Sequence, residues 1–256
     1  MLAAGAHAET AECERHLLAT YPFPHRPTAE LAAVMKDCDA DKFYYGIGVH
    51  FNYVKARHCA FAKDKHDVLM MLYANGLGVP RNYVVAKMAA CRADATPAET
   101  EARLSRLARM QGGREGPSPS IDLCDDASSS ALLSRCAANR AALDEQALDE
   151  QLEQLTTRWS SAEQDAIQLV WRHAKPFGKA EAMKSLEEFE AGKLPAFSQE
   201  DLARAERTVQ GQMPASWLAY REAWQAFGKL RYPSVAPHAW KTYFTRKRAA
   251  AIRAQP

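Results

Sequence analysis

Residues 67–91 read DVLMMLYANGLGVPRNYVVAKMAAC, and this stretch decides the fold. Leu69, Leu72 and Tyr73 recur at helical spacing, and so do Tyr83, Ala86 and Ala90. Between the two apolar faces lies Asn75-Gly76-Leu77-Gly78-Val79-Pro80. Gly76 is placed to stop the first helix, because glycine takes a left-handed conformation without a Cβ clash. Pro80 cannot extend that helix, but it can stand just ahead of the next one. The stretch therefore reads as helix, glycine turn, helix.

The same text occurs once before, 30 residues upstream. Gly46 aligns with Gly76, Gly48 with Gly78 and Val49 with Val79. Asn52 aligns with Asn82, Tyr53 with Tyr83 and Ala56 with Ala86. A fixed period of this size, carrying helix-turn-helix content, is the mark of an α-solenoid unit.

These residues resemble the SEL-like repeats, relatives of the tetratricopeptide repeats. The family core is Y-x-x-G-x-G-V, then Asp or Asn, then K-A and further small residues. Here Tyr73 to Val79, Asn82, Ala86, Ala89 and Ala90 carry it. The resemblance implies a binding scaffold without chemistry of its own. It covers two units, 37–92, and a stack this short needs capping elements. A helix containing Cys13, Leu17 and Leu18, and another from the N-cap Thr28, are the candidates.

Composition is that of an ordinary globular chain: 256 residues, 47% hydrophobic and 25% charged. A net charge of +2 points neither to nucleic acid nor to a membrane surface. No run reaches the roughly 18 apolar residues of a membrane-spanning helix. Ala6-His7-Ala8 fits an A-x-A cleavage site. Two readings stay open for it, a disordered terminus and the end of a truncated signal peptide.

Six cysteines, Cys13, Cys38, Cys59, Cys91, Cys124 and Cys136, form no C-x-x-C and no zinc spacing. In an oxidising compartment they suggest three disulfides, with fifteen possible pairings. Cys38 is placed at the start of the first helix of the first repeat and Cys59 in its second helix, so an antiparallel hairpin can join them, and Cys124 and Cys136 bracket a short segment. Cys13 with Cys91 is then what remains, with least support. Six buried thiols are the alternative.

Asp37, Asp39 and Asp41 start like a calcium loop, but Lys42 and Gly48 occupy the positions that need Gly and Glu. They read as an acidic helix N-terminus. Thr96-Pro97-Ala98-Glu99 is a capping box that opens another helix. Residues 111–120, QGGREGPSPS, read as a linker between domains at 9–110 and 121–250. Beyond it, a helix carries Leu143, Leu148, Leu152 and Leu155. Ser160 and Glu163 cap the next, with Ile167, Val170 and Trp171 on its stripe, and its pattern runs on through Met183, Leu186 and Phe189. Ser198 with Asp201 opens another. Trp217, Tyr220, Arg221, Trp224 and Phe227 mark one more before a basic tail. The fold class is all-α: a short helix-turn-helix repeat followed by a helical bundle.

The second half resembles the LprI-type lysozyme-inhibitor domain. Cys124 to Cys136-Ala137, the acidic leucine helix after it, and Trp217-x-x-Tyr220-Arg221 carry the likeness over residues 121–230. Relatives often have a further cysteine where this chain has Trp224 and Phe227. The resemblance implies a bacterial envelope protein that binds and blocks lysozyme.

Residues 122–165 hold ten acidic and three basic residues, and residues 204–253 hold two acidic and ten basic. Either the two stretches pack together, or the acidic one faces a cationic partner. No G-x-S-x-G, H-E-x-x-H or P-loop is present. His50, His58 and His66 share no recurring carboxylate and read as surface or packing residues. No enzyme activity, cofactor or metal is expected.

The resulting expectation is a periplasmic protein that inhibits a cell-wall hydrolase, either a lysozyme inhibitor or an immunity protein against a secreted toxin. A polar loop, Asp125, Asp126, Ser128, Ser129 and Ser130, would occlude the active site, pre-organised by Cys124–Cys136. The same run also reads as a plain N-cap. Arg221 would contact a carboxylate of the partner or make an internal ion pair with the acidic leucine helix. The alternative function is a scaffold that binds a protein segment through Tyr45, Phe51, Tyr53 and Tyr83.

Overall fold

The computed structural model describes residues 11–114, 116, 119–209 and 212–254. Thirteen α-helices and three short 3-10 turns are formed among them, and no strand. The Ala6-His7-Ala8 stretch lies outside the described residues. No helix among the described residues is long and apolar enough to cross a membrane. The chain divides into two compact units, 1–146 and 147–256.

The first unit is organised by its two turns. Helix α3 (Ala40–Tyr45) ends at Gly46, φ +77°, and α5 (His66–Asn75) ends at Gly76, φ +71°. Gly48 and Gly78 are also left-handed, at φ +67° and +65°. Each turn closes on the same backbone bonds: Ile47 N–H to Lys42 O at 3.0 Å and Asn52 N–H to Phe43 O at 2.8 Å in the first, Leu77 N–H to Leu72 O at 3.0 Å and Asn82 N–H to Tyr73 O at 2.9 Å in the second. Asn52 and Asn82 then cap α4 (Tyr53–Ala62) and α6 (Tyr83–Arg92) through their side-chain oxygens. The sequence repeat is thus a structural repeat. At Gly78 a Cβ would lie 2.8 Å from the Tyr53 Cβ, so the second turn packs directly on the first residue of α4.

Around this pair lie α1 (Ala11–His16), α2 (Ala29–Val34), capped by Thr28, and α7 (Pro97–Gln111), opened by the Thr96–Glu99 capping box. Helix α1 packs on α6, α2 on α4, and α7 on α6. Disulfides join Cys13 to Cys91, Cys38 to Cys59 and Cys124 to Cys136, and no cysteine is free. Cys38 precedes α3 instead of opening it, since Asp39 is the N-cap and accepts from the N–H groups of Asp41 and Lys42.

The compact division does not fall in the 111–120 stretch. It falls inside α8 (Ser130–Thr156), at Gln146. The reason is long-range packing: Ile121, Leu123 and Leu132 belong to the core of the first unit. Segment 121–146 is the last layer of the repeat half.

The second unit holds the rest of α8 with α9 (Ser161–Ala174), α10 (Lys179–Glu190), α11 (Gln199–Thr208), α12 (Ala215–Arg231) and α13 (Pro237–Arg253). Capping boxes at Ser160/Glu163 and Ser198/Asp201 open α9 and α11. Helix α9 does not continue through Met183. Pro176 and Gly178, the latter at φ +94°, turn the chain through a 3-10 piece, Lys175–Phe177, and α10 starts afresh. Helix α12 packs on α9 and α13, and α11 packs on α13. Their shared core stacks Trp224 on Phe244, with ring centres 5.0 Å apart, and sets Phe189 edge-on to Trp240 at 4.9 Å. Burying each such side chain contributes about 2 kcal/mol. Gly228 makes room for Trp240, because a Cβ there would meet the indole at 2.3 Å.

Candidate partner-binding site

The segment expected to form the binding loop is pinned on every side. Asn75 and Tyr45 occupy equivalent positions in the two repeats, each just before the turn glycine, and both grip it. The Asn75 amide donates to Ile121 O at 2.8 Å and accepts from Ile121 N–H at 2.9 Å. The Tyr45 hydroxyl donates to Asp122 Oδ2 at 2.9 Å. Burial first, and the Asp122 charge beside it, push the Tyr45 hydroxyl pKa well above its usual range. Asp122 and Asp125 fold the turn locally: Asp125 Oδ2 accepts from Asp122 N–H at 2.8 Å, and Asp122 Oδ1 from Cys124 N–H at 2.9 Å. Arg106 of α7 pairs with Asp125 at 3.1 Å.

Glu99 holds the other end. It is 1% exposed. One carboxylate oxygen closes the capping box on Thr96 N–H, and the other accepts from Ser128 N–H at 2.9 Å and Ser129 N–H at 2.7 Å. Burial alone would raise its pKa, but the N–H groups of Ser129, Thr96 and Ser128 win and hold it at about 2, below the ordinary 4.5. Ser129 itself caps α8, its hydroxyl accepting from Leu132 N–H at 3.3 Å.

Beneath the segment runs a charged layer. Arg135 of α8 forks onto both oxygens of Asp41 at 2.6 Å and also bonds Asp67. Arg103 of α7 is buried, and among the described residues none of its guanidinium nitrogens has a direct hydrogen-bond partner. Burial lowers its pKa, and the nearby charges of Asp67, Glu99 and Asp126 oppose that.

The expected site residues therefore separate. Asp125, Ser128 and Ser130 are exposed and face solvent, while Asp126 and Ser129 are half-buried. The run does not form a free protruding loop. It is the N-cap of α8, clamped to α7. Arg221 stands in the second unit, 8% exposed, with Nη1 3.2 Å from the Thr245 hydroxyl and 3.8 Å from Glu206. It is an internal bundle contact, and its partner carboxylate is on α11, not on the acidic leucine helix. Of the acidic run, Glu163 pairs with Arg231 of the basic stretch at 3.1 Å, while Asp149 pairs with Lys179 at 2.7 Å.

Among the aromatic candidates of the repeat, Phe51 is 66% exposed, whereas Tyr45, Tyr53 and Tyr83 are half-buried and packed against the core. Val54 and Val84, equivalent positions in the two repeats, are exposed beside them in sequence, at 45% and 55%. Among the described residues no group of three or more His, Cys, Asp or Glu is placed to hold a metal ion. His66 bonds the Tyr21 hydroxyl at 2.8 Å, His58 lies 3.2 Å from Arg57, and His50 is exposed. Sequence reasoning missed Glu99, Asn75, Arg103 and Arg135 as parts of this arrangement. Only the capping-box role of Glu99 was readable locally.

No family model, no curated protein and no solved structure matches the chain. The two resemblances rest on the residues that carry them.

The Glu99 clamp makes a testable statement. Its folded pKa is depressed, so its contribution is present above the unfolded value and is lost as pH falls from about 4.5 to about 2. Glu99→Gln is expected to cost about 2 kcal/mol at pH 7, the worth of charge-assisted bonds to a buried carboxylate. The gap between variant and wild type in urea midpoint should close as pH is lowered through that window. A gap that stays constant from neutral pH to about 2 would contradict the clamp.

Proposed function

We propose that the protein is a non-catalytic, disulfide-braced binding protein of the bacterial envelope that inhibits a cell-wall hydrolase, as a lysozyme inhibitor or as an immunity protein against a secreted toxin. The observation that carries this reading is the segment 122–130. Its backbone is fixed by Glu99, Tyr45, Arg106 and the Cys124–Cys136 bridge, while the side chains of Ser128 and Ser130 are exposed and that of Asp125, paired with Arg106, is 33% exposed. A surface fixed before encounter loses little entropy on binding. Its acidic and hydroxyl groups suit the basic surface around a muramidase cleft. Three disulfides support an oxidising compartment, and the periplasm is the compartment we favour. The LprI-type likeness of residues 121–230 supports the target class.

The mode of blocking differs from a flexible loop entering a cleft. The rim of α7 and the start of α8 would cover the cleft mouth as one rigid face. The test is binding of a muramidase to the oxidised protein, measured with the Ser128→Arg/Ser130→Arg variant. These exposed positions tolerate substitution, so the variant should fold, and affinity should fall at least tenfold. Unchanged affinity would move the binding face elsewhere.

A second reading has its own observation. Phe51, Val54 and Val84 form exposed apolar positions on the repeats. They suit a scaffold that binds a protein segment, on residues other than the Asn75 and Tyr45 positions that the chain's own segment 121–125 already occupies. Phe51→Ser/Val84→Ser would abolish binding under this reading and spare it under the first.

A further inference from the structure

The second unit contains a pocket that the proposed partner face does not use. It has a volume of about 550 Å³, within the usual range of small-ligand sites. Its floor is aromatic. Phe177 meets Trp217 edge-on at 4.7 Å, and Tyr220 lies 5.3 Å from Trp217 and 5.5 Å from Phe177. Its opposite wall is α13, where Ala250 and Ala251 are too small to fill the space. The break between α9 and α10 is what brings Phe177 here, since Pro176 and Gly178 hold the 3-10 turn on which it sits.

The rim carries charge. Lys247 Nζ lies 2.7 Å from the Ser185 hydroxyl and 3.4 Å from Glu181, so its charge is shared with a carboxylate at the same rim. Arg248 differs. Its guanidinium stands over the Trp217 ring, 5.7 Å from the centre, and its Nε reaches the Gln212 carbonyl at 3.4 Å. Among the described residues no carboxylate lies within ion-pair distance of Arg248. The pocket thus presents an apolar aromatic floor and one guanidinium left for an anion. A planar fork of this kind matches a carboxylate in two-point contact. A dianion would fit less well, because Glu181 offsets Lys247.

We propose that this pocket binds an apolar or aromatic group that carries one carboxylate, seated on Phe177, Trp217 and Tyr220 with its carboxylate on Arg248. Two sources share that chemistry, a free aryl carboxylic acid and the C-terminal residue of a protein chain. The site is independent of the hydrolase reading, so either can fail alone.

The experiment follows the indole N–H resonance of Trp217 in the full oxidised protein, assigned through Trp217→Phe. N-acetyl-phenylalanine is titrated against N-acetyl-phenylalanine amide, and a tetrapeptide ending in free phenylalanine against its amidated form. The acids should shift the resonance and saturate on the order of millimolar concentration, as expected for so small a ligand. Each amide should bind at least tenfold more weakly. Arg248→Gln should weaken the acids about tenfold and leave the amides unchanged. Ala251→Leu, at an exposed position that lines the pocket, should abolish every shift without lowering the melting temperature. Peptide acid binding at least tenfold tighter than N-acetyl-phenylalanine assigns the site to a protein C-terminus, and equal affinity assigns it to a free acid. Acids and amides that bind alike, acids insensitive to Arg248→Gln, or no shift at all would overturn the proposal.

Discussion

Arg135→Ala is expected to destabilise the protein by about 3 kcal/mol, among the largest effects of any single substitution. Arg135 is the cation that two carboxylates of the repeat share. It forks onto Asp41 of α3 at 2.6 Å and bonds Asp67 of α5. The Asp67 side chain is 9% exposed and that of Asp41 13%. The hydrogen bonds to Asp41 and the charge of Asp67 overcome the effect of burial, and raise the Arg135 pKa above its usual range. Removing the guanidinium strands Asp67 with the Val68 N–H as its near donor, at 2.7 Å. Arg103 interacts with Asp67 only at a distance and donates it no hydrogen bond, so the cost is that of a buried carboxylate that has lost its ion pair, larger than a lost surface pair. Arg135→Lys should recover only part of it, because an ammonium cannot serve two carboxylates as a planar fork does. Urea unfolding followed by far-ultraviolet circular dichroism measures this, with a midpoint lowered by more than about 1 M for the alanine variant. A midpoint within experimental scatter of wild type would show that the triad is only a surface pair.

Removing Cys13–Cys91 is the second large effect. This bridge closes a loop of 78 residues, against 21 and 12 for the other two. In the chain-entropy account a loop of that length contributes about 4.5 kcal/mol, and the shorter loops about 3 kcal/mol each. Helix α1 has only six residues, too few to persist alone, and packs on α6 beside the bridge. Cys13→Ala/Cys91→Ala should therefore lower the urea midpoint more than either other double variant. It should also open residues 11–25 to proteolysis at native pH. If the Cys124→Ala/Cys136→Ala pair proves more damaging, the bridges act through native packing and not through loop closure.

The repeat was legible in the sequence for a local reason. Gly46, Gly76, Asn52 and Asn82 each do their work within a few residues, through left-handed turns and side-chain caps. The capping boxes at Thr96, Ser160 and Ser198 were legible in the same way. The break between α9 and α10 was concealed because the apolar stripe resumes in phase after Pro176 and Gly178. The division at Gln146 was concealed for a different reason. Polar Pro/Gly-rich text at 111–120 marks a loop, but what decides the unit is Asn75 and Tyr45 reaching forward 46 and 77 residues. Arg103 and Arg135 each look like one more solvated charge until α3, α5 and α7 are brought around them. Asp125 to Ser130 illustrates the limit for function. A polar run before a helix reads as loop or cap alike, and only Glu99, from another helix, distinguishes them.

The proposed inhibition of a cell-wall hydrolase by a fixed face at the junction of α7 and α8 is open to one decisive test. The most direct measurement is a titration of muramidase activity on purified peptidoglycan with the oxidised wild-type protein, beside the Ser128→Arg/Ser130→Arg variant. The account predicts activity falling to baseline at a stoichiometric amount of wild type, with the variant needing at least tenfold more. Full hydrolase activity at a large excess of wild-type protein, over basic muramidases of host and bacterial origin, would contradict it.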